Sequence, residues 1–539
     1  MNWQSGKTKE REVRPASAPP VLRTVVRPLI VAGLVVLSAT LLANSMTKEP
    51  GRDEQMYCTA GVLLARGLLI YRDFPYISHP PCHPLLLAAL YKTVPTEHYL
   101  LVGRLFSIFC EILIILVIMG VYRSLFGRRH LGGLLLGLAA AGLYTFNPLV
   151  TYASGYAWNH DVVILCVMLA LWLFITTDFQ HRSRFWRTAL IGALLTFATC
   201  ARATTGLVVA LFLLAVLVAT PGSVKDRIWT VLAFSAGAIA ALIWPIWVFA
   251  QAPHAMWLDL TKIPALCARW LQETGFRYDK RQLSLVLLTT PGYLVLLVLV
   301  VYMGGSMARR WSSIATRDRR NTVLVASVTA MFFVIAYIPP AMWHQYLAVP
   351  VPFAVATLAL PLAILHRQAQ ETGRTRPSRI ACCFMVIGAA VTLLANRAIL
   401  YRTVDLFVPE QWVPIRFHQV SGDMSDTIGQ PQRVLTLGPL YALEGNCEIY
   451  PEMANPFTYR VADKLSAEER AITHTVGPAS LTELVRQRPP AAVIVGVEPP
   501  YLSFLEDPLR RLAPSAWHRE TYGGTLQVYH PPRPATDPR

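Results

Sequence analysis

Long apolar stretches recur along the first three quarters of the chain, and they constrain its fold more than any other feature. A helix needs about 20 apolar residues to cross a bilayer, so the pattern predicts a polytopic α-helical membrane protein with about eleven transmembrane helices. The composition agrees, because 54% of the 539 residues are hydrophobic and only 15% are charged, against about a quarter in soluble domains. The apolar spans are approximately 25–43, 102–122, 131–148, 161–177, 188–201, 204–219, 229–250, 283–303, 323–338, 347–365 and 380–396.

Basic residues indicate how these spans are oriented. The formal net charge is +17, but no basic face with interleaved aromatics of the kind that binds nucleic acid is apparent. Instead, arginines collect in the short loops that alternating spans place on the side of the N-terminus, as the positive-inside rule requires. Examples are Arg182, Arg184 and Arg187 in one loop and Arg309, Arg310, Arg317, Arg319 and Arg320 in another. The N-terminus is therefore expected in the cytoplasm, and the loop 53–84 and the C-terminal region outside.

Changes in composition divide the chain into three parts. Residues 1–24 form a basic cytoplasmic tail, and residues 25–396 a transmembrane domain whose first outer loop is 44–101. Residues 397–539 are expected to form a small soluble α/β domain outside the membrane. Short β-branched runs at 433–437, 491–497 and 526–529 predict its strands. Ser480 and Glu483 have the spacing of a capping box that opens a helix ending before Pro489.

The first outer loop holds an unusual density of polar residues for such an apolar chain. Apolar residues between Asp53 and Gly67 recur at helical spacing and predict an amphipathic helix along the membrane surface, and a second helix restarts at Leu85. Asp53 or its neighbour Glu54 is suited to act as a general base, because partial burial raises a carboxylate pKa. Alternatively, one of them only caps the helix N-terminus, or the loop is an ordinary solvated one. The other polar residues of the loop are Arg72, Asp73 and His79.

Two further polar groups stand at the outer ends of apolar spans. His160 and Asp161 begin the fourth span, where Asp161 either caps the helix or belongs to an active site. Arg202 lies in the turn between two short spans, against the positive-inside trend. It therefore needs a partner, which is either a phosphate or a carboxylate in a buried ion pair.

Two later outer segments complete the set of candidate residues. His344, Gln345 and Tyr346 could contact a phosphate or sugar hydroxyls, or belong to an interfacial aromatic belt. Lys262 and Arg269 stand among aromatic residues in the loop 251–282, which suits either a lid over an anionic lipid or an interfacial amphipathic segment.

The cysteines and the common enzyme motifs do not identify a function for this chain. Cys58 and Cys82 share the first outer loop and could pair in an oxidising compartment. The nine cysteines show no CxxC metal pattern. The sequence contains no P-loop, GxSxG or HExxH motif, which disfavours an ATPase, a serine hydrolase or a zincin.

The order of these motifs resembles the GT-C glycosyltransferases, and more narrowly the bacterial branch related to protein O-mannosyltransferases and lipid A aminoarabinose transferases. The resemblance rests on Asp53-Glu54 after the first span, the surface helix, Tyr71-Arg-Asp73, His79-Pro-Pro81 and the second surface helix. It covers approximately residues 25–365.

This resemblance implies that a sugar is transferred from a polyprenyl-phosphate donor to a lipid, glycan or protein acceptor on the outer face of the bacterial cytoplasmic membrane, usually with inversion. It also implies Asp53 as the base and Asp161 as the second acidic position. Arg202 would bind the donor phosphate, and His344 and Tyr346 would approach that phosphate. Arg202 stands where Lys is commoner. Some relatives use a divalent cation and others do not, and the sequence does not decide this.

The main alternative from another class is a transporter or flippase of lipid-linked saccharides. Transporters place ionisable residues near the middle of the membrane, often on broken and repeated helices. Here the polar residues gather at one rim and no repeat is evident, with Glu111 as an exception inside the second span. A polymerase or ligase of surface glycans would share the substrates without the Asp-Glu loop. Both are ranked below the transferase.

Overall fold

The computed structural model describes residues 20–127, 131–275, 279–339, 341–429 and 432–532, with side chains from residue 24 onward. Most of the predicted tail, residues 1–24, lies outside these ranges. The part up to residue 396 is helical. Its helices are α1 (Pro20–Met46), α2 (Arg52–Ala65), α3 (Cys82–Thr93), α4 (Tyr99–Phe126), α5 (Leu131–Thr145), α6 (Pro148–Ala153), α7 (His160–Thr176), α8 (Arg184–Ala201), α9 (Gly206–Ala219), α10 (Val224–Gln251), α11 (Pro253–Leu260), α12 (Lys262–Glu273), α13 (Lys280–Leu288), α14 (Pro291–Ala308), α15 (Thr316–Tyr337), α16 (Val351–Thr372) and α17 (Arg376–Ala395).

The predicted apolar spans lie in helices, so the polytopic helical architecture is confirmed. The span 283–303 is the exception to a one-to-one match, because it is divided between α13 and α14 at Thr289 and Thr290. Within the described residues, seven helices are long and apolar enough to cross a membrane by themselves. Three shorter apolar helices, α5, α7 and α9, accompany them. The exact number of crossings stays a prediction.

The helices pack through small residues as well as through large apolar ones. On α8, a Cβ added to Gly192 would stand 2.1 Å from the carbonyl oxygen of Phe234 on α10. A Cβ on Gly237 would stand 1.7 Å from the carbonyl oxygen of Ala189. The two backbones therefore touch, the close approach that small residues permit between membrane helices. This contact fixes α8, whose C-terminal end carries Arg202.

The predicted first surface helix is present as α2, and its surroundings bury most of it. Residues 54–63 are all buried. Helix α3 packs along one side of α2, while a short helix of the C-terminal region, Pro439–Glu444, covers another. The N-terminal part of α2, with Asp53, Met56 and Tyr57, lines a cavity, and Asp53 keeps partial exposure there.

Short helices and one sheet make up the chain after residue 397. The five strands have the order β2-β1-β3-β5-β4, with β2, β1 and β3 parallel and the last two pairings antiparallel. Strands β1, β3 and β5 were predicted, whereas β2 and β4 were not. The elements are α18 (Ala398–Tyr401), α19 (Val413–Ile428), β1 (Arg433–Thr436), α20 (Pro439–Glu444), β2 (Glu448–Ile449), α21 (Pro456–Tyr459), α22 (Ala467–Thr473), α23 (Leu481–Gln487), β3 (Ala492–Val495), α24 (Asp507–Leu512), β4 (His518–Tyr522) and β5 (Leu526–His530).

One local prediction needs correction, and the structure answers whether Cys58 and Cys82 pair, which the sequence left open. The helix after Ser480 forms, but Ser480 does not cap it, because its hydroxyl bonds the backbone of Gly477 instead. All nine cysteines are free thiols. Cys58 lies beside Tyr91, and Cys82 lies beside Cys200 at the end of α8, so Cys58 and Cys82 do not pair.

The C-terminal region is held firmly on the helices. Its apolar core is continuous with residues of α2, α3 and α4. The buried carboxylate of Glu444 accepts a hydrogen bond of 2.6 Å from the backbone N–H of Leu100, at the start of α4. These contacts bring the C-terminal region over the ends of the helices, next to the N-terminal turn of α2.

Candidate active site

A cavity of about 620 Å³ lies where the polar segments at one end of the helices meet the C-terminal region. Its volume is within the range of about 300–1,000 Å³ that is usual for small-ligand sites. The walls come from the start of α2, the loop before α3, the segment between α6 and α7, the turn between α8 and α9, α12, the segment between α15 and α16, and the C-terminal region. The sequence-predicted site residues that line it are Asp53, His79, His160, Arg202, Gln345 and Tyr346.

Asp53 is the carboxylate that faces this cavity. It occupies the first turn of α2 and is half-buried, and it forms no hydrogen bond or ion pair with any described residue. Burial raises the pKa of Asp53 above its ordinary value, while the positive charges of Arg52, Arg460 and Arg202 oppose that rise. An unpaired carboxylate with a raised pKa is suited to accept a proton from a bound hydroxyl group.

Glu54 has a different environment from its neighbour. Its two oxygens accept hydrogen bonds from Arg104 Nε at 2.9 Å and Nη2 at 2.8 Å. The backbone N–H groups of Gly51 and Ala157 donate to the same carboxylate, at 2.8 and 2.7 Å. Glu54 is fully buried and does not line the cavity. It joins α2, α4 and the segment before α7, which is a structural role.

Arg202 lies in the cavity wall as an unpaired cation. Helix α8 ends at Ala201, and Arg202 takes an extended backbone before the short 3₁₀ turn Ala203–Thr205. The Asn159 side chain donates a hydrogen bond of 2.8 Å to the carbonyl of Ala201 and so fixes this turn. The guanidinium lies 5.4 Å from the centre of the Tyr346 ring. Among the described residues no carboxylate pairs with Arg202, so the buried ion pair considered above is not found.

His79 reaches the cavity through a strained loop. Tyr71 and Ser78 both have positive φ angles, of 67° and 69°, which non-glycine residues adopt only where their surroundings hold them. The Tyr71 hydroxyl donates to the carbonyl of His79 at 2.8 Å. Asp259 on α11 accepts from the backbone of Tyr76 at 2.9 Å through its carboxylate, and from Ser78 at 3.1 Å through its carbonyl. Burial and Arg202 lower the pKa of His79 to about 3, so the imidazole is neutral.

His160 and Asp161 lie on opposite sides of the cavity wall. His160 faces the cavity, whereas Asp161 is buried behind it, beside Glu111, and accepts a hydrogen bond of 3.2 Å from the Gly155 N–H. The nearby Lys48 ammonium donates to the carbonyls of Tyr152 and Ser154 at 3.0 and 2.6 Å. Burial lowers the pKa of Lys48 to about 7. This buried network holds the segment that carries His160. It also explains how the charged residue Glu111 is accommodated inside an apolar span, although no partner for it was recognisable from the sequence.

Several predicted binding residues lie away from the cavity. Arg72 and Asp73 pair with each other at 2.9 Å near the surface, and Asp73 also accepts from the Leu69 N–H at 2.7 Å. Lys262 and Arg269 are exposed on α12, and Lys262 pairs with Glu469.

Helix α12 nevertheless covers the cavity, because its apolar face, with Trp270, points inward. His344 packs edge-on against Tyr152, with ring centres 5.3 Å apart. It is adjacent to the lining residues and not among them.

Sequence reasoning missed the residues that the C-terminal region contributes. Phe457, Arg460, Tyr501 and Leu502 line the cavity, although no motif marks them in the sequence. Arg52 also lines it, and its position directly before Asp53 was the one available signal. In the described part of the chain, no group of three or more His, Cys, Asp or Glu side chains is placed to hold a metal ion.

The chain is similar to known proteins in part of its sequence and in its overall structure. The family model described as "Dolichyl-phosphate-mannose-protein mannosyltransferase" matches residues 78–249. The structure is similar to that of ArnT from Cupriavidus metallidurans in the apo state, with a TM-score of 0.58 and 15% identity over 94% of this chain and 98% of that chain. The protein has the GT-C fold.

Two further solved structures share the GT-C fold. ArnT bound to undecaprenyl phosphate gives a TM-score of 0.56 and 16% identity, over 93% of this chain and 97% of that chain. The oligosaccharyltransferase of Archaeoglobus fulgidus in the apo form gives 0.50 and 12%, over 95% of this chain and 75% of that chain. No curated protein sequence matched. The predicted resemblance is confirmed for the fold, and the family model covers His79, His160 and Arg202 but not Asp53.

Proposed function

We propose that the protein is a glycosyltransferase that moves a hexose or pentose from a polyprenyl-phosphate-linked donor to a lipid, glycan or protein acceptor. The observation that carries the proposal is that a carboxylate, Asp53, and a guanidinium, Arg202, line one cavity of about 620 Å³, and that neither is paired with a described residue. Displacement of a sugar from a phosphate requires a base for the incoming hydroxyl and positive charge for the leaving phosphate. The GT-C fold and the undecaprenyl phosphate bound to ArnT in one solved structure support this assignment.

The proposed reaction is a direct displacement. The acceptor hydroxyl oxygen forms a bond to the anomeric carbon as the bond from that carbon to the phosphate oxygen breaks. Asp53 takes the hydroxyl proton, and the polyprenyl phosphate leaves with the bonding electrons. Arg202, supported by the ring of Tyr346, stabilises the charge that develops on the phosphate. Attack and departure on opposite faces of the sugar invert its configuration.

The cavity is expected to open on the outer face of a bacterial cytoplasmic membrane. The arginine-rich loops then lie in the cytoplasm together with the N-terminus, in accordance with the positive-inside rule. The C-terminal region lies outside, with the acceptor. A donor that already carries the energy of a glycosyl-phosphate bond explains how such a reaction proceeds where no nucleotide is supplied.

The test is transfer from radiolabelled polyprenyl-phosphate sugars in membranes that contain the wild type or Asp53→Asn. The Asn side chain keeps the size and hydrogen bonding of Asp but cannot accept the proton. We expect transfer by the wild type and a rate lower by about 100- to 10,000-fold in the variant, the range of general-base catalysis. Asp423→Asn, at an exposed position of α19, is the matched control and should transfer normally.

Other outcomes would contradict the proposal in different ways. Equal rates for the wild type and Asp53→Asn would retain the reaction and exclude Asp53 as its base. Absence of transfer from a broad donor panel, with movement of lipid-linked sugar across vesicle membranes, would show a flippase instead.

A further inference from the structure

The cavity has a second cationic wall, formed where the C-terminal region meets α2. Arg460 follows α21 and lies between two aromatic rings, 5.2 Å from the centre of Trp270 and 4.9 Å from that of Phe457. Its side chain is only 8% exposed although it borders the cavity. Aromatic faces on a guanidinium leave its edges available for hydrogen bonds in its own plane.

The hydrogen bonds of Arg460 are incomplete. Its Nε and Nη2 atoms are buried and have no hydrogen-bond partner among the described residues. The nearest carboxylate oxygen, Oε1 of Glu498, is 3.8 Å from Nη2, which is beyond hydrogen-bonding distance. The other oxygen of Glu498 pairs with Arg52. Two guanidinium groups thus share the Glu498 carboxylate. Asp53 is the other carboxylate whose charge acts on both of them, but it forms no ion pair with either.

A buried cation whose charge is not fully compensated destabilises the folded protein. Burial lowers the pKa of Arg460 to about 10. Burial and the positive charge of Arg460 together lower the pKa of Arg52 to about 9. A buried charge is normally paired and hydrogen-bonded. An anion entering from the cavity would supply both the charge and the missing acceptors.

The position of this pair relative to Asp53 indicates which substrate carries the anion. Arg52 directly precedes Asp53 in the first turn of α2, and Arg460 shares Glu498 with Arg52, so both cations lie on the side of the cavity that carries the base. In the proposed displacement the acceptor approaches on the side of the base, opposite the leaving phosphate. Because Arg202 serves the donor phosphate, the cations nearer to the base face the acceptor.

We propose that Arg460 and Arg52 form an anion-binding subsite for a phosphate or carboxylate group on the acceptor. This inference rests on the proposed function, and it narrows the acceptor class to molecules that carry an acidic group near the hydroxyl that is glycosylated. The C-terminal region is then part of the acceptor site and not only a cover for the cavity.

The subsite can be tested by binding of inorganic phosphate and of acetate to the full-length protein in detergent, with saturating undecaprenyl phosphate to occupy the donor site. We expect the wild type to bind at least one of these anions, and Arg460→Gln and Arg52→Gln to bind it at least tenfold more weakly. Arg460→Lys should recover part of the affinity. Arg433→Gln is the matched control, since Arg433 pairs with Glu448 in the same region and does not line the cavity.

Three results would overturn the inference. The wild type could bind neither anion, or the Arg460 and Arg52 variants could bind as the wild type does. Anion binding could also disappear with saturating undecaprenyl phosphate and weaken only in Arg202→Gln, which would assign the anion to the donor site. Thermal unfolding of each variant identifies misfolding, and in that case Arg460→Lys and Arg52→Gln decide the question.

A transfer assay then separates the subsite from the proposed function. Arg460→Gln should raise the acceptor KM at least tenfold and leave the donor KM unchanged. Anion binding needs no turnover, so a wild type that binds anions yet transfers no sugar would contradict the transferase and retain the subsite. Transfer by Arg460→Gln with an unchanged acceptor KM would retain the transferase and contradict the subsite.

Discussion

The guanidinium of Arg104 and the carboxylate of Glu54 form a two-point ion pair, at 2.9 and 2.8 Å, in which both side chains are completely buried. Arg104 also donates to the backbone carbonyls of Ser45 and Lys48, at 2.7 and 2.8 Å. The pair therefore ties the end of α1 and the start of α2 to α4. It sets the position of Asp53, the residue next to Glu54, at the cavity.

Breaking this pair should destabilise the protein. Removal of one partner from a buried ion pair costs about 3–5 kcal/mol, so Arg104→Met and Glu54→Gln should lower the thermal unfolding midpoint strongly in detergent. Arg486→Met is the control, because Arg486 and Glu483 are both largely exposed and such pairs contribute about 1 kcal/mol or less. A Glu54→Gln variant that unfolds like the wild type but transfers no sugar would instead indicate a catalytic Glu54.

The raised pKa of Asp53 should appear in the pH dependence of transfer. The base must be ionised, so the rate should fall as the pH is lowered through the Asp53 pKa, and burial moves this decline above the range of an ordinary aspartate. Initial rates measured across the pH range at saturating donor would show it. A rate that stays constant down to the pH range in which an ordinary aspartate titrates would contradict the raised pKa of Asp53.

The raised pKa of Asp53 also predicts whether Asp53→Asn stabilises or destabilises the folded protein. A carboxylate whose pKa is raised by folding favours the folded state when protonated, and this contribution is lost as the pH rises through the folded-state pKa. Asp53→Asn should therefore raise the unfolding midpoint relative to the wild type at neutral pH, and the difference should shrink in acid. A variant that is less stable than the wild type at neutral pH would show that the ionised carboxylate is held by favourable contacts.

Arg202 should control binding of the donor phosphate. Loss of a charge-assisted hydrogen bond costs about 1.5–3 kcal/mol, so Arg202→Gln should raise the donor KM and the Kd for undecaprenyl phosphate by about 10- to 100-fold, and Arg202→Lys by less. Arg182→Gln, at an exposed site on the predicted cytoplasmic side, should leave both unchanged. Unaltered affinity in Arg202→Gln would exclude Arg202 from the phosphate site.

The thiols of Cys82 and Cys200 predict a specific cross-link. They are neighbours in the structure, and each is near in sequence to a cavity-lining residue, His79 or Arg202. Mild oxidation with copper phenanthroline should join Cys82 to Cys200 and tie α3 to α8, as peptide mass spectrometry would detect. Cys58→Ser should not alter the product, whereas Cys82→Ser and Cys200→Ser should each abolish it. A Cys58–Cys82 cross-link would contradict the packing described here.

Local patterns in the sequence determined the helices and much of the polar rim. A stretch of apolar residues can satisfy its backbone inside lipid only as a helix, so the apolar spans could be located without knowledge of their neighbours. The same reasoning identified Asp53, His160 and Arg202. A charged or polar group beside an apolar span is unfavourable in lipid and therefore rare, so its presence indicates a functional or structural role. The main strands of the C-terminal region followed from their β-branched runs.

Only the tertiary structure decided which of these polar groups share the cavity. Asp53 and Glu54 are adjacent in sequence and look equivalent, but Arg104 takes Glu54 into the interior and leaves Asp53 at the cavity. Arg460 lies more than 400 residues after Asp53, and no local pattern predicts that it reaches the same cavity. The physical reason is that periodicity reports the environment of one segment, whereas the pairing of charges depends on contacts between distant segments, and these exist only once the helices and the C-terminal region have packed.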